Sequence, residues 1–574
     1  MEIIEEVFKG LGFSAFSSAG VTKRPAKRTY CVQYRESDFE FVSRLLEEEG
    51  IFYYFEHRNG EHVMVMGDSS SAYTPSTEQH VGRLSTLSAL QNTDDVYRWE
   101  HRYQFRGGVF VQRDFDFTRP RERLVTKAPS LISLDNTSTL ERFDYPGNYR
   151  DNGTGKRLTE RRMEASESEH EAVMGESVCR GLGAGLTFTL DDHPHPDEAG
   201  RSYVVRRVRH EAELAGGYLT GQESSDQDYR NSFEAVPSNV PLTPERVTPK
   251  PLVSGVQTAI VSGPAGDEIY TDEHGRVKVQ FHWDRRGKSD ENSSCWIRVR
   301  QAWAGAGWGG LQVPRVGQEV VADFLEGDPD RPLVIGRVYN AESMPPVSGS
   351  GRDEAEGEVN PRNVMEAAMQ TTLRSNSLGG SGGHNEITMH DGGGEEKLFF
   401  RAEKDEVHLV QNSRKDTVGN NEARSVGNDR TRSVANNESV DVGNDRAVSV
   451  GNNETMTIGA DNTIDVGSHF KLKAGSSITL QCGASSITMY SGGVITISGT
   501  VVTMAGAANA NVAAPITNIS GAALLTQTGA GNLRAGMVTR TDVGSTAVIS
   551  SGGKEAIEAG GETIVKGAAV KING

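Results

Sequence analysis

The chain has 574 residues, enough for several domains rather than one core. Its net charge of −18 argues against a nucleic-acid groove, which needs clustered Lys and Arg, and 36% hydrophobic residues with 65 glycines favour turns and short strands over helices. No apolar run is long enough for a membrane span, and the acidic opening MEIIEEVFKG lacks a cleavable signal pattern, which points to a start in the cytoplasm.

Residues 1–235 read as strands mixed with a few short helices. The stretch ESDFEFVSRLLEEEG predicts a helix: Ser37 and Glu40 form a capping box, Phe39, Val42, Leu45 and Leu46 lie near one face, and Gly50 sits at the C-cap. IFYYFEH follows as a strand. The charged segment 157–176 predicts a second, exposed helix. Residues 236–251 are Pro-rich, with five prolines from Pro237 to Pro251, and mark a linker and domain boundary. Over 252–342, the stretches GRVKVQFHW, CWIRVRQAW, EVVADFLEG and PLVIGRVYN are short strands parted by Gly, Asp and Pro turns, the pattern of a compact β-barrel. Residues 343–395 connect this barrel to a repeat region over 396–505, and 506–574 continue as Ala- and Gly-rich strands that form a less regular tip. Cys31, Cys179, Cys295 and Cys482 are far apart with no CxxC pair, so buried free thiols are expected.

From Val418 the chain repeats every eight residues. Val or Ile opens each octet at Val418, Val426, Val434, Val442, Val450, Ile458 and Val466, and Gly follows each except at Ala435. The seventh position becomes apolar later, at Val440, Val448, Met456 and Ile464, whereas Arg424 and Arg432 hold it in the first two octets. Gly followed by Asn or Asp favours a corner. Each octet is therefore a strand and a turn with one or two apolar side chains, too little to bury a core without stacking. The fifth positions run Glu422, Arg430, Glu438, Arg446, Glu454. A single-chain coil with two octets per turn would stack Glu on Glu and Arg on Arg. A prism of three intertwined chains places neighbouring layers one octet apart, so Glu lies beside Arg. Opposite charges on adjacent strands help by roughly 0.2–1 kcal/mol and like charges cost similarly. The octets also lack the GGxGxD pattern of a calcium roll. A trimeric intertwined β-helix (β-prism) is expected, with the eleven named apolar residues on its axis.

These motifs in this order resemble the VgrG family, the spike of the type VI secretion system, a fusion similar to a contractile-phage baseplate hub joined to the phage cell-puncturing spike. RESDFEFVSRLLEEEGIFYYFEH is similar to the hub-like part. DEHGRVKVQFHWDRRGK, CWIRVRQAWAGAGWGG and VPRVGQEVVADFLEGDPDRPLVIGRVYN are similar to the oligonucleotide-binding (OB-fold-like) barrel, and SLGGSGGHNEITMHDGGGEEKLFFRAEKD to the lead-in of the needle. The resemblance implies a mainly β protein: a hub-like β-barrel domain with short helices, an OB-fold-like barrel and a trimeric β-helix needle. It implies a non-enzymatic homotrimer seated on a tube of Hcp hexamers, with a PAAR-repeat tip protein, effectors and baseplate components as partners and no nucleic acid. It also implies assembly in the bacterial cytoplasm and secretion without a signal peptide. Family members usually carry a further segment ahead of the one that starts here at Met1, so the hub-like domain is expected to be N-terminally incomplete. Between Asn340 and the needle lie only about forty residues, too few for the lysozyme domain of the phage spike. Rival readings are the spike of a contractile phage or extracellular injection system, a β-helical polysaccharide-degrading enzyme, and a calcium-roll adhesin.

The candidate chemistry reads blandly, and no catalytic, cofactor or metal residue is expected. GGSGG around Ser381 fits the nucleophile pattern with His384 nearby, but the surround is polar and Gly-rich rather than strand, sharp turn and helix. His193 and His195 in DDHPHPDE match no closed zinc set. GAGWGG from Gly305 lacks the Lys-Ser/Thr of a phosphate loop, and GLGAG from Gly181 runs into a strand instead of a helix. KRPAKR at Lys23 reads as a solvated basic run. No His follows His469, so the iron-binding apex of some phage-type spikes is not expected.

Overall fold

A computed structural model describes residues 1–84, 95–132, 135–212, 229–346, 368–503 and 505. The tip expected over 506–574 lies outside them. The chain is mainly β with three short helices and divides into two units, 1–417 and 418–574.

In the first unit, helices α1 (Glu2–Gly10) and α2 (Asp38–Glu49) share an apolar cluster with Ile51, Met64 and Met66. Helix α2 carries the expected capping box: the Ser37 hydroxyl accepts from the Glu40 N–H (3.2 Å) and the Glu40 carboxylate from the Ser37 N–H (2.8 Å). Gly50 closes the helix in the left-handed region at φ 70°. The buried face is centred on Phe41 and Leu45, and Phe39 falls off it at 68% exposure, which corrects the face read from the sequence. Strand Phe52–Arg58 pairs with Glu61–Gly67 through an Asn-Gly turn, and Phe16–Gly20 adds a parallel third strand.

Helix α3 (Asn152–Glu167) is shorter than the predicted 157–176 and is not exposed; residues Glu171–Ser177 form a strand instead. Leu158, Met163, Arg161 and Arg162 are all buried. Long charged side chains tolerate this because acids meet most of them: Arg157 pairs with the distant Glu49 at 2.7 Å, and Arg161 with Glu164 on the same helix at 2.6 Å and the distant Asp68 at 3.7 Å. Beneath α3 lies a three-stranded sheet of Leu124–Pro129, Val109–Asp114 and Glu141–Asp144. A six-stranded sheet runs in the order Thr74–Arg83, Leu186–Asp192, Arg201–Ala212, Tyr229–Pro237, Glu171–Ser177, Val96–Tyr103. Its two edges meet at the Leu84–Val96 bridge, so the sheet curls into a barrel around Phe188, Tyr203, Phe233 and their neighbours.

The Pro-rich segment has no regular structure, yet it is fastened. Glu47 of α2 accepts the N–H groups of Val247 (3.0 Å) and Thr248 (2.9 Å), and Lys250 bridges Asp328 and Asp330. Beyond it, five strands order as Lys278–Phe281, Gln257–Ser262, Glu319–Phe324, Pro332–Arg337, Arg298–Val299. Val277 and Ile297 exchange both backbone hydrogen bonds (3.0 and 2.8 Å) and close the barrel. Strand Gln257–Ser262, which lies between two others, is absent from the sequence reading. The KRPAKR run is not wholly solvated, since Arg28 pairs with Glu48 (2.6 Å) and Glu49 (3.1 Å). Of the cysteines, Cys179 is buried as expected, Cys31 and Cys295 are half-buried, and Cys482 is exposed.

Candidate assembly surface

Ser381 sits in a loop between strands Gln370–Arg374 and Glu386–His390, flanked by Gly379, Gly380 and Gly382 at positive φ. Strand–loop–strand is not the elbow that a nucleophile needs. His384 is buried, with Nε2 3.2 Å from Glu386 and Nδ1 3.0 Å from the Arg374 guanidinium. His193 and His195 lie in a loop after strand Leu186–Asp192, and among the described residues no cluster could hold a metal ion. GAGWGG forms the turn of a short hairpin at Trp303 and Trp308, and GLGAG leads into a strand.

The distinctive surface is elsewhere. Strands Gln370–Arg374, Glu386–His390 and Lys397–Arg401 form an antiparallel sheet whose register aligns Leu373 with Ile387 and Phe400, and Met389 with Leu398. Because side chains alternate, these five share one face, and each is exposed. The second unit repeats this with Ser477–Cys482, Ser485–Tyr490 and Ile495–Ser498. There Ile478, Leu480, Ile487, Met489, Ile495 and Ile497 line one face and Thr479, Thr488 and Thr496 the other. Four of the six apolar side chains are more than a third exposed, with Ile495 at 62%.

In sequence the octets run between the two sheets. The backbone bends once every eight residues, at Gly419-Asn420 and its equivalents through Gly467-Ser468. Among the described residues no backbone group from 404 to 475 bonds to another backbone group. All eleven expected axis residues are exposed in the single chain. The openers Val418, Val426, Val434, Val442, Val450, Ile458 and Val466 lie at 42–53%, and the seventh-position residues Val440, Val448, Met456 and Ile464 at 59–70%. The same bends occur at 411–412 and 475–476, so Val410 and Leu472 fall on the period. Val410 was missed because Gln411 stands where Gly follows the other openers; Leu472 lies in the octet that opens with Val466-Gly467 and needed only a count of eight on from Ile464. Unpaired extended backbone with periodic apolar side chains is a surface that other strands must complete.

Three protein families match the chain. A phage tail baseplate hub family covers residues 1–216, a type VI secretion system/phage-baseplate injector OB domain 263–339, and the bacteriophage T4 gp5 C-terminal trimerisation domain 371–482. The type VI secretion system spike protein VgrG1a of Pseudomonas aeruginosa is 39% identical over 73% of this chain and 63% of its own length. The actin cross-linking toxin VgrG1 of Vibrio cholerae is 32% identical over 73% of this chain and 37% of its own length. A solved Escherichia coli protein, c3393, described as a type VI secretion component similar to T4 tail proteins gp27 and gp5, aligns at TM-score 0.38 and 20% identity, covering 59% of this chain and 71% of that one. The chain thus spans less than two thirds of the length of these curated relatives.

Proposed function

The chain belongs to the VgrG family of type VI secretion spike proteins, and from that membership we propose that it works as a homotrimer whose octets intertwine into a puncturing needle. One observation carries the proposal: an extended segment of some seventy residues leaves its backbone unpaired and its periodic apolar residues exposed in one chain. Orphaned backbone groups and apolar faces of this extent are satisfied when copies wind together. The match of residues 371–482 to a trimerisation domain supports a threefold rather than a twofold partner set, as does the alternation of Glu and Arg along the octets. A prism closes its own edges, so it resists bending and aggregation.

The rest of the reading leans on the family relationship alone. In it the needle sits through its base on a tube of Hcp hexamers and baseplate components, carries a PAAR-repeat tip protein and effectors, and leaves the cytoplasm without a signal peptide. The described part acts mechanically, not as an enzyme: the octet acids alternate with Arg instead of pairing as carboxylates on a concave face. The baseplate-hub family match also suits the spike of a contractile phage, which genomic neighbours would separate from a secretion spike.

Light scattering of the purified protein tests the core of the proposal. The expected mass is three times 62.1 kDa. A monomeric mass from a protein whose needle region is intact would overturn it.

A further inference from the structure

Within the first unit, the hub-like part, the Pro-rich segment and the second barrel enclose a cleft of about 350 Å³. A second cavity of about the same volume adjoins it, and the two share Glu48, Asn148, Arg162, Arg246 and Lys250. Arg162, on α3, is only 9% exposed. It donates to the Glu47 carbonyl (3.1 Å) and the Glu48 carbonyl (3.0 Å) at the C-terminal end of α2. These carry partial charge only. Among the described residues no carboxylate lies within salt-bridge reach of Arg162, and its buried Nε has no partner. Its neighbours on α3 differ, since Arg157 and Arg161 both meet acids. The acids of the wall are already engaged: Glu48 and Glu49 by Arg28, Asp114 by Arg331, Asp116 by Arg119, Asp151 by the N–H and hydroxyl of Thr154, and Asp328 and Asp330 by Lys250. Arg246 ties one edge of its guanidinium to Asp144 at 2.8 Å. Burial, and after it the charge of Arg246, pull the Arg162 proton affinity down to about 9. Arg162 and Arg246 thus both line a cleft whose acids are taken up by other partners.

We infer that this cleft is an oxyanion site that takes a small phosphate-class anion between Arg162 and Arg246. A guanidinium donates paired hydrogen bonds to the oxygens of such an anion, Arg246 through the edge that Asp144 leaves and Arg162 through the second N–H of each Nη, and two positive charges favour a dianion over a lone carboxylate. The volume suits a small molecule and is too small for a folded peptide segment. The inference does not rest on the threefold assembly, because every residue of the site comes from one chain.

The test uses the full-length chain in its native assembly. Inorganic phosphate and pyrophosphate are titrated by calorimetry at fixed ionic strength, with chloride as the balancing ion. Saturable binding is expected. Arg162→Gln and Arg246→Gln should each weaken it roughly tenfold or more, since a hydrogen-bonded charge contact is lost. Arg98→Gln, on an exposed strand, should leave it unchanged. Arg246 is partly exposed, so Arg246→Gln keeps the test open if Arg162→Gln fails to fold. Absence of saturable binding in the assembled protein, as when a carboxylate from a second copy fills the cleft, would overturn the inference. So would an Arg246→Gln variant that binds as the parent does, or an Arg98→Gln variant that loses as much.

Discussion

Changing Val442 to Asp tests the register of the octets against the side-chain alternation on which the needle reading depends. Fully burying a Val side chain stabilises by roughly 1.5–3 kcal/mol. Val442 retains 45% of its exposure in one chain. Covering it in the assembly therefore contributes about 0.7–1.4 kcal/mol per copy, and threefold symmetry makes that about 2–4 kcal/mol per layer. Val442→Asp forfeits this and sets three carboxylates near one another in an apolar core, each costing on the order of several kcal/mol while charged. The introduced carboxyl has its pKa raised in the assembly, so the penalty is absent at pH below its ordinary value of about 4 and grows as pH rises through the raised value. The neighbouring Asp441, on the opposite face, should tolerate Asp441→Ala at a cost of roughly half a kcal/mol. Resistance to denaturant and protease, measured at neutral and acid pH, reads both variants. If Asp441→Ala is as damaging as Val442→Asp, the register is wrong by one residue. If neither matters, the octets do not pack about an axis.

Two further outcomes follow from the first unit. Ser37→Ala removes half of the capping box of α2 and should destabilise the unit by about 1 kcal/mol in urea unfolding; no change would mean that tertiary packing alone holds that helix end. Asp68 is buried, which raises its pKa, but the N–H groups of Thr22 (3.0 Å) and Lys23 (2.7 Å), the Thr22 hydroxyl and the Arg161 charge outweigh this and hold it below the ordinary value. Its contribution is thus present above about pH 4 and lost as pH falls through the depressed value. Asp68→Asn should weaken the protein at neutral pH and flatten the acid limb of its stability curve, and an unchanged acid limb would refute the assignment.

What the sequence disclosed was what its chemistry encodes locally. The capping box of α2, the strand that follows it and the eight-residue period all depend on neighbours within a turn or an octet, and all are present in the structure. Helix α3 was misplaced on the surface because the groups that admit its arginines, Glu49 and Asp68, lie some hundred residues away in sequence. Strand Gln257–Ser262 was missed because QTAIVS is short and carries little contrast between its two faces, both of which are partly covered. The oxyanion cleft gave no signal at all: its walls come from stretches scattered between residues 26 and 332, and none is a motif alone. The octet residues were legible as periodic, but the axis role proposed for them needs other copies, and a single chain shows them only as uncovered.

The two small sheets at either end of the octets gain a meaning once copies are wound together. Along any face of a prism the fifth positions alternate Glu, Arg, Glu, so a chain slipped by one octet meets like charges throughout and is driven back. A slip of two octets, sixteen residues, sets Glu beside Arg again wherever the charged octets still overlap and meets no like charges there. Apart from the first two octets, where Arg424 and Arg432 of a slipped chain would come level with Val440 and Val448, little within the repeat distinguishes that misalignment from the correct one. The flanking sheets do, because each folds within its own chain and appears once on either side of the array, so a slipped chain leaves one apolar face without its counterparts at each end. In the proposed needle they would act as the stops of a vernier: shortening the array by two octets should leave a needle that still aligns, whereas deleting either sheet should yield a ladder of misaligned species.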